Sequence, residues 1–373
     1  MRIGVMLRHY DQHRGGVRVY THRLLDAMFA LGSPHQLVLL YRSPALVGTY
    51  AGRPGAEEVA LPAAGVLAWD QLAVPAAARR LGLDLIFNPK YSIPLRAPCP
   101  AVWVCHGLDW YVMPWASKRI DRLSHRFLVP RYARRASAVI AVSEITRQHV
   151  MHYLHLPPDR VATVYSGVDD VFRRPVDSGT RAAIRRKYSL PERFMLYAGA
   201  VYPPKNYTRL IRAFARVGPE RGIPLVVAGG ENRFLSEQEL LEPERLGIAP
   251  WVLRPGWVEQ DDLAALYAMA EMLLLPSLFE SCGLPVIEAM AAGCPVLTAD
   301  RYGTKELAEG AAVLVDPESV DAIADGMRRI LDDAALRERL VAAGRERSGA
   351  FRWSRCAAET LAVLERAAAE PRR

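Results

Sequence analysis

The stretch Pro276–Asp300, PSLFESCGLPVIEAMAAGCPVLTAD, decides the fold that we predict for this chain. The apolar run 272–275 just before it, Met-Leu-Leu-Leu, is short and predicts a buried parallel strand. After a loop, the sequence predicts a helix from Val286 to Ala292, which Gly293 ends. A second apolar run starts at Pro295. The order strand, loop, helix, strand predicts one right-handed βαβ unit.

Two carboxylates lie in this stretch: Glu280 in the loop and Glu288 about one turn inside the helix. The N–H groups of the loop and the positive end of the helix dipole together predict an anion site beside both acids. Such a site suits a sugar phosphate, with the phosphate on the amides and the hydroxyls on the acids. The pattern alone leaves a second interpretation equally open, in which both acids only cap the helix and favour its dipole.

The length of 373 residues is too great for one typical core and predicts two domains. No run of eighteen apolar residues is present, so we expect no transmembrane helix. The opening residues, MRIGVML, predict a strand and not a signal peptide. Five widely spaced cysteines predict reduced thiols in a cytoplasmic protein and not a disulfide framework or a zinc site.

The net charge of +8 is unevenly distributed. Residues 1–172 carry 20 Lys and Arg against 12 Asp and Glu, whereas the remainder carries 28 of each. Such a charge run is usually a solvated helix face, but it also suits a surface that meets anionic lipid or a phosphorylated acceptor. No nucleic-acid recognition module accompanies the charge. Seven of the cations fall in one segment, with only Asp121 opposing them: Lys118, Arg119, Arg122, Arg126, Arg131, Arg134 and Arg135.

The sequence around the two acids, FESCGLPVIEAMAAGCPV with Glu280-x7-Glu288, resembles the signature of the retaining group 1 glycosyltransferases of GT-B architecture. Further matches to that family occur in order along nearly the whole chain. The resemblance implies an α/β fold with two Rossmann-like, doubly wound parallel-sheet domains facing a cleft. Residues 1–172, with a crossing helix in 351–373, would form the acceptor-binding domain. Residues 173–350 would bind the nucleotide sugar, and 173–177 would be the linker.

The resemblance also implies a reaction. A hexose, with mannose favoured, would pass with retention from a GDP- or UDP-linked donor to a glycan or lipid-linked acceptor. The product would serve cell-surface polysaccharide or glycolipid assembly, in the cytoplasm or peripherally at the inner face of the membrane. We expect no cofactor beyond the donor substrate. We also expect no metal, because the sequence has no Asp-x-Asp to hold one on a diphosphate.

Two further residues are predicted to be catalytic beside Glu280. Lys205 lies between a glycine turn and a predicted helix, where an ammonium can neutralise a diphosphate. Many relatives place an Arg directly after the glycine, but here Ala200 follows Gly199. His106 lies just past a predicted strand, and the resemblance implies that it reaches the transferred sugar.

The resemblance assigns the hexose hydroxyls to Glu280 and the ribose hydroxyls to Glu288. The other predicted donor-binding positions lie in glycine turns, in the loop before the helix and at a strand edge that would cradle the base. They are Gly15, Gly16, Gly199, Val258, Ser281, Cys282, Gly283 and Leu284.

Other functions remain open at this point. A sugar phosphorylase or a nucleotide-sugar epimerase could share the architecture, as could a non-enzymatic nucleotide-sugar-binding protein, because fold does not fix function. A dinucleotide dehydrogenase is disfavoured, because no G-x-G-x-x-G follows the first predicted strand.

Overall fold

A computed structural model describes residues 1–11, 15–230 and 237–369 of the chain. The chain divides into two compact units. Unit 1 comprises Met1–Gly167 and Trp353–Arg373, and unit 2 comprises Val168–Arg352. Unit 1 is therefore built from two separate stretches of sequence, with unit 2 between them.

Unit 1 contains a seven-stranded sheet with the order β3-β2-β1-β4-β5-β6-β7, in which all neighbouring strands are parallel. Its central strands are apolar and buried, because helices cover both faces of the sheet. The strands are β1 Arg2–Met6, β2 Gln36–Tyr41, β3 Ala56–Ala60, β4 Leu85–Asn88, β5 Ala101–Cys105, β6 Ala138–Ala141 and β7 Val161–Thr163.

Within the described residues, six α-helices of unit 1 precede unit 2 in the sequence, and the last described helix returns to unit 1. That last helix packs against the first helix and against β4, β5 and β6. The six are α1 Gly16–Ala30, α2 Val66–Ala68, α3 Val74–Arg80, α4 Asp109–Val112, α5 Arg119–Arg135 and α6 Glu144–Leu154, and the last helix of the chain, numbered α16 in chain order, is Trp353–Ala369.

Unit 2 contains a six-stranded parallel sheet with the order β10-β9-β8-β11-β12-β13. Its strands are β8 Met195–Ala198, β9 Leu225–Ala228, β10 Val252–Gly256, β11 Leu273–Leu275, β12 Val296–Ala299 and β13 Val313–Val315. Its helices are α7 Ser178–Tyr188, α8 Tyr207–Phe214, α9 Glu237–Leu240, α10 Glu242–Arg245, α11 Gln260–Met269, α12 Leu284–Ala291, α13 Tyr302–Ala308, α14 Val320–Asp332 and α15 Ala334–Ser348.

The βαβ unit predicted around Pro276–Asp300 is present. β11 and β12 pair in parallel, and α12 connects them. α12 begins after Gly283, which has a left-handed φ of 80°, and Pro285 occupies its first turn. The predicted fold class, two Rossmann-like parallel-sheet domains of an α/β protein, is confirmed.

The bounds of the two compact units differ from the predicted domain bounds by five residues at one junction and by two at the other. Residues 168–172 and 351–352, which the sequence analysis placed in the first domain, belong to unit 2. Residues 173–177 also lie inside unit 2. The reason is that Phe172 is buried against the Tyr267 ring, with 5.8 Å between the ring centroids, while Asp177 caps α7 by accepting the Thr180 N–H.

Candidate functional site

The candidate donor site of unit 2 starts at the carboxyl ends of its central strands, where open parallel sheets bind ligands. β8 ends at Ala198, and Gly199 then turns the chain with a φ of 135°. A Cβ on the neighbouring Gly229 would lie 2.0 Å from the Gly199 carbonyl oxygen. Only glycine at position 229 therefore allows the two loops to approach this closely.

Lys205 and Glu280 form an ion pair in which each side chain is only 10% exposed. Lys205 ends a short 3-10 turn after β8, and Glu280 lies in the loop between β11 and α12. The Ser277 hydroxyl donates to Glu280 Oε1 over 3.0 Å, so the carboxylate is held from two sides. The fold thus brings together two of the three residues that the sequence analysis predicted to be catalytic.

Asn206 is a positioning residue that the sequence analysis did not single out. It has a left-handed φ of 60° and is 4% exposed. Its Nδ2 donates to the Pro276 carbonyl over 2.9 Å and to the Pro317 carbonyl over 2.6 Å. One side chain therefore ties together the loops that follow β8, β11 and β13. An Asn between Lys205 and a predicted helix was the available signal, because Asn tolerates the left-handed region better than most residues.

The loop that carries Glu280 is fixed against the start of α13. The Gly303 N–H donates to the Glu280 carbonyl over 2.9 Å. A Cβ on Gly303 would lie 2.4 Å from the Ser281 carbonyl oxygen, so no other residue fits there without moving the loop. Ser281, Cys282 and Leu284 are half-buried around the amino end of α12, as a role in anion binding requires.

Glu288 lies in α12 and accepts a hydrogen bond from the Tyr267 hydroxyl over 3.2 Å. Burial, and to a smaller extent the nearby Asp169 carboxylate, raise the pKa of Glu288 to about 7, against the opposing effects of the Tyr267 bond and of Lys205. Asp169 was not singled out in the sequence analysis. It accepts from Gln260 Nε2 over 3.3 Å and belongs to the surroundings of Glu288.

Val258 follows the end of β10, as the sequence analysis required of a strand edge. Its side chain is only 6% exposed, so any contact with a base would use its backbone atoms. The Gly229 N–H donates to the Gly256 carbonyl over 2.8 Å and keeps this edge next to the loop after β9.

In unit 1, His106 follows β5 and is held in one tautomer. Its Nε2 lies 2.7 Å from the Pro89 carbonyl oxygen, which can only accept, so Nε2 carries the proton and Nδ1 is an acceptor. Its ring meets the Tyr20 ring edge-on, with 4.7 Å between centroids. Burial lowers the pKa of His106 to about 4, so the ring is neutral at pH 7.

Gly15 and Gly16 lie at the start of α1. Gly15 has a φ of 135°, which favours glycine, and a Cβ at either position would meet no atom within 4 Å. This open space fits the predicted approach of a ligand to the backbone. The preceding loop residues 12–14 lie outside the described residues.

Comparison with known proteins gives two matching family models. Residues 14–172 match the model described as Glycosyltransferase Family 4, and residues 180–347 match the model described as Glycosyl transferases group 1. The second match contains Lys205, Glu280 and Glu288.

Two curated relatives and one solved structure are among the similar proteins. The O-antigen chain mannosyltransferase B of Escherichia coli is 29% identical over 61% of this chain and 60% of its own length. The serotype-specific mannosyltransferase WbdA of Escherichia coli is 30% identical over 72% of this chain but only 34% of its own length. The matches thus span less than two thirds of either relative. A sucrose-phosphate synthase from Thermosynechococcus elongatus is 22% identical and has a TM-score of 0.81, with 98% of each chain covered, which is a likeness of fold.

Proposed function

Because this chain belongs to the group 1 glycosyltransferases of GT-B architecture, we propose that it transfers a hexose from a nucleoside diphosphate sugar to a glycan or lipid-linked acceptor. The transfer proceeds with retention and without a metal ion, in cell-surface polysaccharide or glycolipid assembly. The observation that carries the proposal is the buried Lys205–Glu280 pair, held by Ser277 and Asn206 in the loops where the sheet of unit 2 ends. Mannose is the favoured hexose, because both curated relatives named above are mannosyltransferases.

On the donor side, Lys205 and the amides of residues 281–284 bind the diphosphate, and Glu288 accepts hydrogen bonds from the ribose. Glu280 binds the hexose hydroxyls and, through its ion pair, orients Lys205. In the reaction the bond from the anomeric carbon to the diphosphate oxygen breaks and a bond to the acceptor oxygen forms. The acceptor proton passes to the departing phosphate oxygen on the same face. Negative charge grows on the diphosphate, so the Lys205 contact strengthens in the transition state.

His106 has a narrower role in this proposal. As a neutral imidazole with a free lone pair on Nδ1, it accepts a hydrogen bond from a hydroxyl of the transferred sugar. Its low pKa makes it a poor proton acceptor at neutral pH, and we therefore give it a positioning contact and not the role of general base.

The test separates donor binding from turnover. Calorimetry with UDP-, GDP- and ADP-sugars identifies the donor, and Glu288→Ala is expected to weaken its binding while Glu280→Ala mainly lowers turnover. Lys187→Met serves as a matched control, because Lys187 is an exposed lysine of unit 2 paired with Asp262.

Activity is expected to survive excess EDTA, and NMR of the product is expected to show the anomeric configuration of the donor. Wild-type behaviour of both glutamate variants, or an inverted product, would overturn the proposal.

We also propose that unit 1 contacts an anionic membrane from the cytoplasmic side, where cysteine thiols stay reduced. Helix α5 supports this contact, because it has a second apolar face besides the one packed in the core. Ile120, Leu123 and Phe127 lie one helical turn or two apart and are 76%, 72% and 56% exposed. The cations of the predicted cluster from Arg119 to Arg135 lie on this same helix. Among the helices of the described residues, none is long and apolar enough to span a membrane.

A further inference from the structure

A group of charged side chains in unit 1 lies apart from the residues assigned above, except for His106. Arg8 follows β1, Lys90 follows β4 and His106 follows β5. These three strands are neighbours in the sheet and run parallel, so all three residues lie at the same edge, where such sheets bind ligands.

The loop that presents Lys90 is built and held by buried polar side chains. Asn88 Nδ2 donates to the Ser92 carbonyl over 2.7 Å and to the Ser92 hydroxyl over 2.9 Å. The Lys90 N–H in turn donates to Asn88 Oδ1 over 3.0 Å. Asn88 and Ser92 are 3% and 5% exposed, so the backbone around Lys90 has a fixed shape.

The group carries more positive than negative charge. Asp70, which is 2% exposed, lies 3.2 Å from Arg8 Nε and compensates that guanidinium. Lys90 is half-buried, and within residues 1–11, 15–230 and 237–369 no carboxylate lies within 4 Å of its ammonium. Burial and the charge of Arg8 lower the pKa of Lys90, and the Asp70 carboxylate opposes this shift only in part.

The two nearby histidines, His9 and His106, do not change the net charge of this group. Burial, reinforced by the charge of Lys90, lowers the pKa of His9 to about 3, and the pKa of His106 is about 4. Both rings are therefore neutral at pH 7. Holding an ammonium with only partial charge compensation away from water costs free energy, and a fold that keeps one at a ligand-binding edge gains from an anion there.

We propose that Arg8 and Lys90 form a subsite for an anionic group, a phosphate or a carboxylate, of a substrate of the transfer reaction. The inference rests on the proposed function and adds to it the chemical class of one substrate group. Two sources share this chemistry: an anionic acceptor and the diphosphate of the donor.

The test uses inorganic phosphate as the probe and the full chain in a Lys205→Met background, which removes the phosphate contact proposed for unit 2. Phosphate binding is measured by calorimetry. Adding Lys90→Met is expected to weaken it on the order of tenfold or more, because one charge-assisted contact is lost. Adding Arg80→Met is the matched control, since Arg80 is an exposed cation at the end of α3 in the same unit. It is expected to leave phosphate affinity unchanged.

Lys90→Arg separates charge from packing, because it keeps the cation and is expected to retain phosphate binding if the subsite exists. Thermal unfolding of each variant shows that the fold is intact. Phosphate affinity that is equal with and without Lys90→Met, or no phosphate binding in the Lys205→Met background, would overturn the subsite.

The source of the anion is decided in the otherwise native chain. An unchanged affinity of Lys90→Met for the nucleoside diphosphate assigns the subsite to the acceptor, whereas a parallel loss assigns it to the donor. Failure of the proposed function gives a different result: the native chain would transfer no hexose from any donor, while phosphate would still bind at Lys90.

Discussion

At the scale of single residues, Lys205 has two roles that compete for one charge: it compensates Glu280 in the fold, and it binds the diphosphate in the proposed reaction. In the folded chain each charge compensates the other in a nearly closed environment, with both side chains 10% exposed. In the proposed reaction the ammonium must also face a diphosphate. The Lys205 ammonium would thus contribute both to stability and to turnover. Substitutions can separate the two contributions.

Lys205→Ala is expected to lower turnover on the order of 10²–10³-fold, as for a lost transition-state contact. It also leaves a buried carboxylate without its cation, so the free energy of unfolding is expected to fall by about 3–5 kcal/mol. The double variant Lys205→Met with Glu280→Gln removes both charges and is expected to regain most of the stability but none of the turnover. Chemical denaturation and initial rates measure the two effects. A loss of turnover below about threefold would show that another cation neutralises the diphosphate.

If Glu288 binds the ribose as proposed, donor binding is expected to be sensitive to pH near neutrality. Its pKa of about 7 means that it gains a proton as pH falls from 8 to 6, and a carboxyl group accepts hydrogen bonds from ribose less well than a carboxylate. Nucleotide affinity is expected to rise with pH through 7 in the native chain and to stay flat in Glu288→Gln. Calorimetry at several pH values checks this, and parallel pH profiles of the two proteins would contradict it.

The raised pKa of Glu288 also makes the free energy of unfolding depend on pH. Because the folded chain raises the pKa above the ordinary value of 4.5, it holds the proton more tightly than the unfolded chain between those pH values. The cost of ionising Glu288 is therefore absent below about pH 4.5 and complete above pH 7, where it reaches at most about 3 kcal/mol. Relative to the native chain, Glu288→Gln should thus be more stable at pH 8 than at pH 4.5.

At the scale of elements, the position of α13 decides where Glu280 lies. The two are joined through Gly303, whose N–H bonds the Glu280 carbonyl and whose missing side chain leaves room for the loop. This coupling acts through backbone atoms, so the side-chain types of the predicted site residues do not indicate it.

Gly303→Ala is expected to lower turnover strongly while the protein stays folded. The new Cβ would meet the backbone of Ser281 at 2.4–2.6 Å, and backbone cannot move aside as a flexible side chain can, so the Glu280 loop must shift. Gly179→Ala in α7 is the matched control, because its nearest atom is a side-chain oxygen of Asp177 at 3.1 Å. Steady-state kinetics and thermal unfolding measure the outcome. Native turnover in Gly303→Ala would show that the loop tolerates the shift.

The sequence predicted elements best where their pattern was strong. The strands β1 and β11 lie within the apolar runs that predicted them, because both runs are buried. β3 was missed, since AEEVA is half-buried along its whole length and lacks such a run. The Lys205–Glu280 contact and the ties made by Asn206 and Gly303 could not be predicted, because they join residues far apart in sequence and depend on the packing of loops.

At the scale of the whole molecule, the charge and the exposed apolar face of α5 lie in the same unit. The excess of cations falls entirely within residues 1–172, and α5 has Ile120, Leu123 and Phe127 turned away from its buried residues Val129 and Tyr132. In the proposed membrane contact, salt is expected to weaken the attraction that the cations contribute, since charges are screened over roughly 10 Å at 0.1 M salt. The apolar face adds a part that salt does not weaken.

We expect the protein to co-sediment with anionic vesicles and to be released in large part as salt rises. Leu123→Asn with Phe127→Asn is expected to remove the salt-resistant part, because it removes the apolar side chains and keeps the charge. Leu241→Asn, an exposed leucine of unit 2 (47%), is the control and should bind like the native chain. Equal binding to neutral and anionic vesicles, or binding to neither, would leave the cluster as an ordinary solvated face.

The return of α16 to unit 1 reverses the usual order of events during synthesis, in which N-terminal domains fold first. Residues 1–167 leave the ribosome well before α16, whose buried side chains, among them Leu361 and Leu364, cover part of their sheet. At typical translation rates of 5–20 residues per second, making residues 168–352 takes roughly 10–40 s. For that time the nascent first part of unit 1 exposes an apolar face, whereas unit 2 has all of its sequence as soon as residue 352 is made. The unit whose synthesis starts first is therefore the last to complete its fold.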